Sequence, residues 1–85
     1  MFHILVVEDD RALRELFCTV LSKNGFVYHE ARDGVEAWDV LEKQYIDLIV
    51  TDIMMPNMNG FEFVKSLRQN ALNMPVLIIT AKDNF

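Results

Sequence analysis

A chain of 85 residues has room for one small domain. Its composition is globular rather than disordered, with 52% hydrophobic and 25% charged residues, and so short a chain must use nearly all its apolar residues to close a core. Thirteen acids against eight bases leave a net charge of −5, which argues against general electrostatic binding to nucleic acid or an anionic membrane but leaves room for a cation where carboxylates gather.

The single cysteine, Cys18, has no internal partner for a disulfide, and zinc-type Cys/His spacings are absent. Met1-Phe2-His3-Ile4 lacks the basic start and long apolar run of a secretory signal. No apolar run approaches the ~20 residues of a membrane span. The expected setting is a reducing, soluble compartment, most simply the cytoplasm.

Two alternating periods organise the chain. Ile4-Leu5-Val6-Val7 is a continuous apolar run rich in β-branched residues, as expected of a strand covered on both faces, and it stops at Glu8-Asp9-Asp10. Leu13, Leu16, Phe17, Val20 and Leu21 then recur at helical spacing, with Asp10 as a candidate cap and Asn24-Gly25 as the close. Phe26 to Ala31 reads as a second, more polar strand, nearer an edge. Asp33-Gly34 permits a hairpin, but the period from Glu36 to Lys43 favours a helix carrying Ala37, Trp38 and Leu41.

Ile46 to Thr51 predicts a third strand, with Asp52 at its end. The segment from Met54 to Gly60 is dense in turn formers. Phe61, Val64 and Leu67 mark a third helix, with Phe63 also available to pack and both Trp38 and Phe61 expected in or beside the core. Val76 to Ile79 predicts a fourth buried strand ending at Thr80. The order β-α-β-α-β-α-β implies an α/β fold: a parallel sheet with right-handed crossovers and helices on both faces. Function in such sheets belongs at the carboxyl ends of the strands.

Those ends carry Glu8, Asp9 and Asp10, then Ala31-Arg32, then Asp52, then Thr80. If the first and third strands are neighbours, about 4.8 Å apart, Asp9 and Asp52 converge with Glu8 beside them. Two bare carboxylates about 4 Å apart repel by about 4 kcal/mol at an effective dielectric of about 20. Such a cluster raises a pKa or holds a cation. Donors that are all oxygen, in an incomplete shell, favour Mg²⁺. His3 and His29 lie too far along the chain from these acids to count among the ligands.

Four segments in this order resemble the receiver domain of two-component response regulators. They are Ile4-Leu5-Val6-Val7-Glu8-Asp9-Asp10, Ala31 to Ala37, Asp47 to Gly60, and Pro75-Val76-Leu77-Ile78-Ile79-Thr80-Ala81-Lys82. The resemblance covers residues 1–85 as the N-terminal portion of the family domain. It implies a flavodoxin-like, doubly wound sheet of strand order 2-1-3-4, with the family's fifth strand and last helices beyond this chain.

Position by position, the resemblance makes Asp52 the phospho-accepting aspartate, Asp9 a direct Mg²⁺ ligand and Glu8 its supporting acid. The backbone carbonyl of Met54 becomes a further Mg²⁺ ligand. Thr80 becomes the switch hydroxyl, and Ala81 a backbone N–H donor to the phosphoryl group. Lys82 does not match the family's catalytic lysine, which follows the fifth strand.

The implied role is to accept a phosphoryl group from a sensor histidine kinase and to switch an output domain or partner, without being an enzyme in its own right. A phosphorylation-independent interaction module is the alternative. An Asp-nucleophile phosphohydrolase is disfavoured, because its second acid would stand where this chain has Met54. Direct contact with nucleic acid or membrane is not expected. A chain ending at Phe85 would leave the fourth strand as an apolar edge, so self-association through that strand is a further expectation.

Overall fold

The computed structural model describes residues 1–54 and 58–79. Thr80, Ala81, Lys82 and the Met55-Pro56-Asn57 part of the turn segment lie outside the described residues. The elements are β1 (His3–Val7), α1 (Arg11–Lys23), β2 (Val27–Ala31), α2 (Gly34–Lys43), β3 (Leu48–Asp52), α3 (Gly60–Gln69) and β4 (Val76–Ile79). All three strand pairings are parallel, in the order β2-β1-β3-β4. The polar strand β2 is an edge, and β1 sits between β2 and β3.

Strand alternation divides the apolar residues into two layers. Leu5, Val7 and Ile49 point into a cluster with Ala31, Ala37, Ile46, Phe63 and Leu67, on the side of α2 and α3. Ile4 and Val6 point the other way, against Cys18, Phe17 and Leu21 of α1 and Leu48 and Val50 of β3. This two-sided burial explains why β1 reads as an unbroken apolar run.

The helix ends follow local chemistry. Asp10 caps α1 by accepting the Leu13 N–H at 3.1 Å, and Asp33 caps α2 by accepting the Glu36 N–H at 2.9 Å. The helix reading at Asp33-Gly34 therefore holds over the hairpin. At the far end of α1, Gly25 takes φ +85°, Gly25 N–H bonds the Ser22 carbonyl and Phe26 N–H bonds that of Leu21. The close of α3 has the same pattern, with Ala71 in the left-handed position at φ 60° and Leu72 N–H on the Leu67 carbonyl.

Four expectations shift. Strand β4 is not buried: it forms an edge of the sheet, Leu77 is 53% exposed and its other residues are half-buried. Strand β2 begins at Val27, because Phe26 belongs to the turn and sets its ring edge-on to Phe2 at 5.7 Å. Strand β3 begins at Leu48 and includes Asp52, whose Cα is in register with Ile79. Phe61 is 63% exposed, while Phe63 is fully buried. The buried stripe of α3 is Gly60, Phe63 and Leu67, and a residue one position past Gly60 turns away from it. Trp38 is half-buried and donates its indole N–H to Ser66 Oγ at 3.2 Å, which links α2 to α3. No helix among the described residues is long and apolar enough to cross a membrane.

Candidate functional site

The direction of winding changes between β1 and β3, and in an open parallel sheet the crevice forms at the carboxyl ends of that pair. The register Val7↔Thr51 sets Glu8 and Asp9 just past the end of β1, level with Asp52 at the end of β3. One carboxylate oxygen from each of Glu8, Asp9 and Asp52 lies within 4.8 Å of the other two. Glu8 and Asp52 are buried, whereas Asp9 is exposed. The crevice is thus built from two inward acids and one at the solvent side.

Local hydrogen bonds hold each acid in place. Glu8 N–H continues the sheet onto the Ala31 carbonyl at 3.0 Å, and Glu8 Oε2 accepts the Asp10 N–H at 3.0 Å. The Glu8 carbonyl accepts Arg14 Nη1 at 2.8 Å, while Arg14 Nε pairs with Glu30 at 3.1 Å. Arg14 therefore ties the end of β1 to α1 and to the edge strand. Asp52 Oδ1 accepts the Met54 N–H at 3.4 Å, and Thr51 Oγ1 donates to the Asp52 carbonyl at 3.2 Å.

Gly60 seats α3 directly on this turn. Its N–H bonds the Ile53 carbonyl at 2.8 Å, and a Cβ at that position would lie 2.7 Å from the Asp52 carbonyl oxygen. Asn59 and Glu62 close a reciprocal capping box at the same helix start. The side chain of Met54 is 68% exposed, while Met58 packs against the core.

The structure brings together Glu8, Asp9 and Asp52, with Met54 bonded to Asp52 through its backbone. Asp10 is used as the helix cap. Thr80 and Ala81 lie outside the described residues. Sequence reasoning passed over Gly60 except as a turn former, because the tight approach to Asp52 is a tertiary fact. It also passed over Arg14, whose only signal was a basic residue on the first helix.

A donor set of three carboxylates with no nitrogen or sulfur fits a hard divalent cation such as Mg²⁺. The same three acids line the one such cluster of possible metal ligands among the described residues.

Comparison with known proteins agrees with this arrangement. The family profile of the response regulator receiver domain matches residues 4–85. The response regulator MprA of a Mycobacterium species (strain KMS) is 44% identical over 82 residues, covering 96% of this chain and 36% of that protein. The Mycobacterium tuberculosis MprA gives the same identity and coverage. The chain thus spans about a third of the length of these curated relatives.

Among solved structures, a Francisella response regulator receiver domain superposes with a TM-score of 0.90 at 34% identity, covering 99% of this chain and 69% of that one. The Thermotoga maritima response regulator TrrA, solved in complex with Mg²⁺-BeF, gives a TM-score of 0.88 at 32% identity, covering 95% of this chain and 70% of that one. Fold, acidic crevice and sequence profile agree, and the chain belongs to the response regulator receiver domain family of two-component systems.

Proposed function

We propose that Asp52 accepts a phosphoryl group from the phosphohistidine of a sensor histidine kinase. The observation that carries this reading is the convergence of Glu8, Asp9 and Asp52 within 4.8 Å at the switch point of the sheet. A carboxylate oxygen of Asp52 attacks phosphorus, the P–N bond of the donor breaks, and the imidazole leaves with its electron pair. The product is an acyl phosphate on Asp52. This chemistry needs alignment and charge neutralisation more than covalent assistance.

Asp9, Asp52 and the Met54 carbonyl would hold Mg²⁺, with Glu8 supporting it. The cation supplies neutralisation of phosphoryl charge when bound. Residues of the chain place the reacting groups. The Met54 N–H and the seat of α3 on the Asp52 backbone orient the nucleophile, and Asp9 keeps one carboxylate at the open side. Thr80 and Ala81 are the proposed hydroxyl and N–H donors to the transferred group. The role is regulatory rather than enzymatic, in the cytoplasm, with an output domain or partner protein reading the phosphorylated state.

Incubation with acetyl phosphate and Mg²⁺, followed by mass mapping, tests the assignment. The expected result is one hydroxylamine-sensitive, base-labile phosphoryl group on Asp52, absent from Asp52→Asn and sharply reduced in Asp9→Ala or without Mg²⁺. A label on another residue, or an undiminished Asp52→Asn protein, overturns it.

A further inference from the structure

The segment Glu8-Asp9-Asp10 joins β1 to α1, and one residue holds it at both ends. The Arg14 N–H donates to the Asp10 carbonyl at 2.9 Å, closing the first turn of α1. The Arg14 side chain turns back along the helix, and its Nη1 donates to the Glu8 carbonyl at 2.8 Å. Asp9, which brings one of the three converging carboxylates, lies between those two held carbonyls. The Glu8 carbonyl belongs to the planar peptide unit that joins Glu8 to Asp9, so its orientation fixes the Cα positions from which both side chains depart.

The guanidinium is itself held. Its Nε pairs with Glu30 Oε1 on β2 at 3.1 Å, and the Arg14 side chain is 16% exposed. Both bonds leave one rigid plane, which a lysine cannot reproduce with a single flexible ammonium. A charged donor on a carbonyl makes one of the stronger kinds of hydrogen bond, and little water competes for this one.

On the reading of Glu8, Asp9 and Asp52 as the Mg²⁺ site, we propose that Arg14 is a positioning residue that raises the affinity of that site. It acts through the Glu8–Asp9 peptide and not by contact with the ion. Mg²⁺ demands near-octahedral oxygen geometry, so a misplaced donor is costly. Groups that orient metal ligands by hydrogen bonding carry about tenfold or more in affinity. The positive charge of Arg14 works the other way, by repelling a cation. Glu30 offsets that charge at 3.1 Å, and salt screens what remains, so alignment outweighs repulsion.

The two effects have opposite signs, and the test reads the sign. Mn²⁺ is titrated into the chain, with the free-ion electron paramagnetic resonance signal as readout and Mg²⁺ as displacing ion. The unaltered chain should bind one Mn²⁺ that Mg²⁺ displaces, and Asp9→Ala should lose it. Arg14→Met should bind both ions about tenfold more weakly at a temperature where circular dichroism shows it folded. Arg14→Lys, which keeps the charge without the planar hold, should fall between. A merely structural role would lower the melting temperature and leave the affinity of the folded chain unchanged. Parental or tighter binding by Arg14→Met therefore overturns the proposal, and if Asp9→Ala still loses the ion, the metal site itself stands. Should Arg14→Met fail to fold, Arg14→Lys decides: weaker binding supports the proposal and parental binding overturns it. An unaltered chain that binds neither ion overturns both the proposal and the metal site.

Discussion

Replacing Gly60 with alanine tests how tightly α3 is set against the turn that carries Asp52. The added Cβ would stand 2.7 Å from the Asp52 carbonyl oxygen, 3.2 Å from Ile53 Cα and 3.4 Å from the Asp52 carbonyl carbon. All three are backbone atoms, so no rotamer change relieves the contact. Reaching an ordinary separation needs a backbone displacement of at least about 0.7 Å.

The helix cannot simply retreat by a residue. Its start is pinned by the Glu62 N–H on Asn59 Oδ1 at 2.9 Å and the Asn59 N–H on Glu62 Oε1 at 3.3 Å. Overpacking of this kind costs about 1–3 kcal/mol, and the better helix propensity of alanine offsets at most about 1 kcal/mol. The expected net loss is about 1–2 kcal/mol. In a domain of this size each kcal/mol moves the melting temperature by roughly 4–8 °C. Thermal denaturation followed by circular dichroism reads this directly, and the proposed phosphoryl acceptance by Asp52 should slow as well. A Gly60→Ala protein that melts at or above the parent temperature would refute the reasoning.

Ala71 holds a left-handed conformation at φ 60° in a helix close where α1 uses Gly25, so Ala71→Gly should stabilise the chain by about 0.5–1 kcal/mol, read as a higher urea midpoint. Burial, and then the neighbouring His3, lower the pKa of His29 below its ordinary 6.5. Below that value the unfolded chain takes up the proton more readily than the folded one, so this contribution to stability is present above pH 6.5 and is lost as pH falls towards the folded value. Urea midpoints measured between pH 8 and pH 5 should drop at the acid end, and the slope should flatten in His29→Gln; an identical slope in that variant counts against the assignment. Burial, followed by Glu30, raises the Cys18 thiol to about 11, so the native chain should resist alkylation at pH 8 and react promptly in denaturant.

The parts of the fold most legible in the sequence are those written in apolar periodicity and cap chemistry. Ile4-Leu5-Val6-Val7 announced a doubly covered strand, and Asp10, Asp33 and Gly25 each act at a helix end as their residue types suggest. The acidic crevice was legible because its members sit at strand ends, where parallel topology brings them together. The facing of α3 was not, since Phe61 and Phe63 are equally apolar and the choice between them is made by the close seat of Gly60. The His3–His29 contact was also hidden. Two histidines separated by 26 positions become neighbours only once the parallel register is known.

The single tryptophan and the single cysteine fall on opposite faces of the sheet. Trp38 packs on the α2–α3 layer and is bonded to Ser66, so its emission responds to the loosening of that layer. Cys18 is buried in the α1 layer, so its accessibility to a thiol reagent responds to the other. The molecule therefore carries one native optical reporter and one native chemical reporter, one for each half of its core. If fluorescence and thiol protection are lost along the same denaturation curve, the two layers melt as one cooperative unit. Curves that separate would instead assign each layer its own stability, without any label having been introduced.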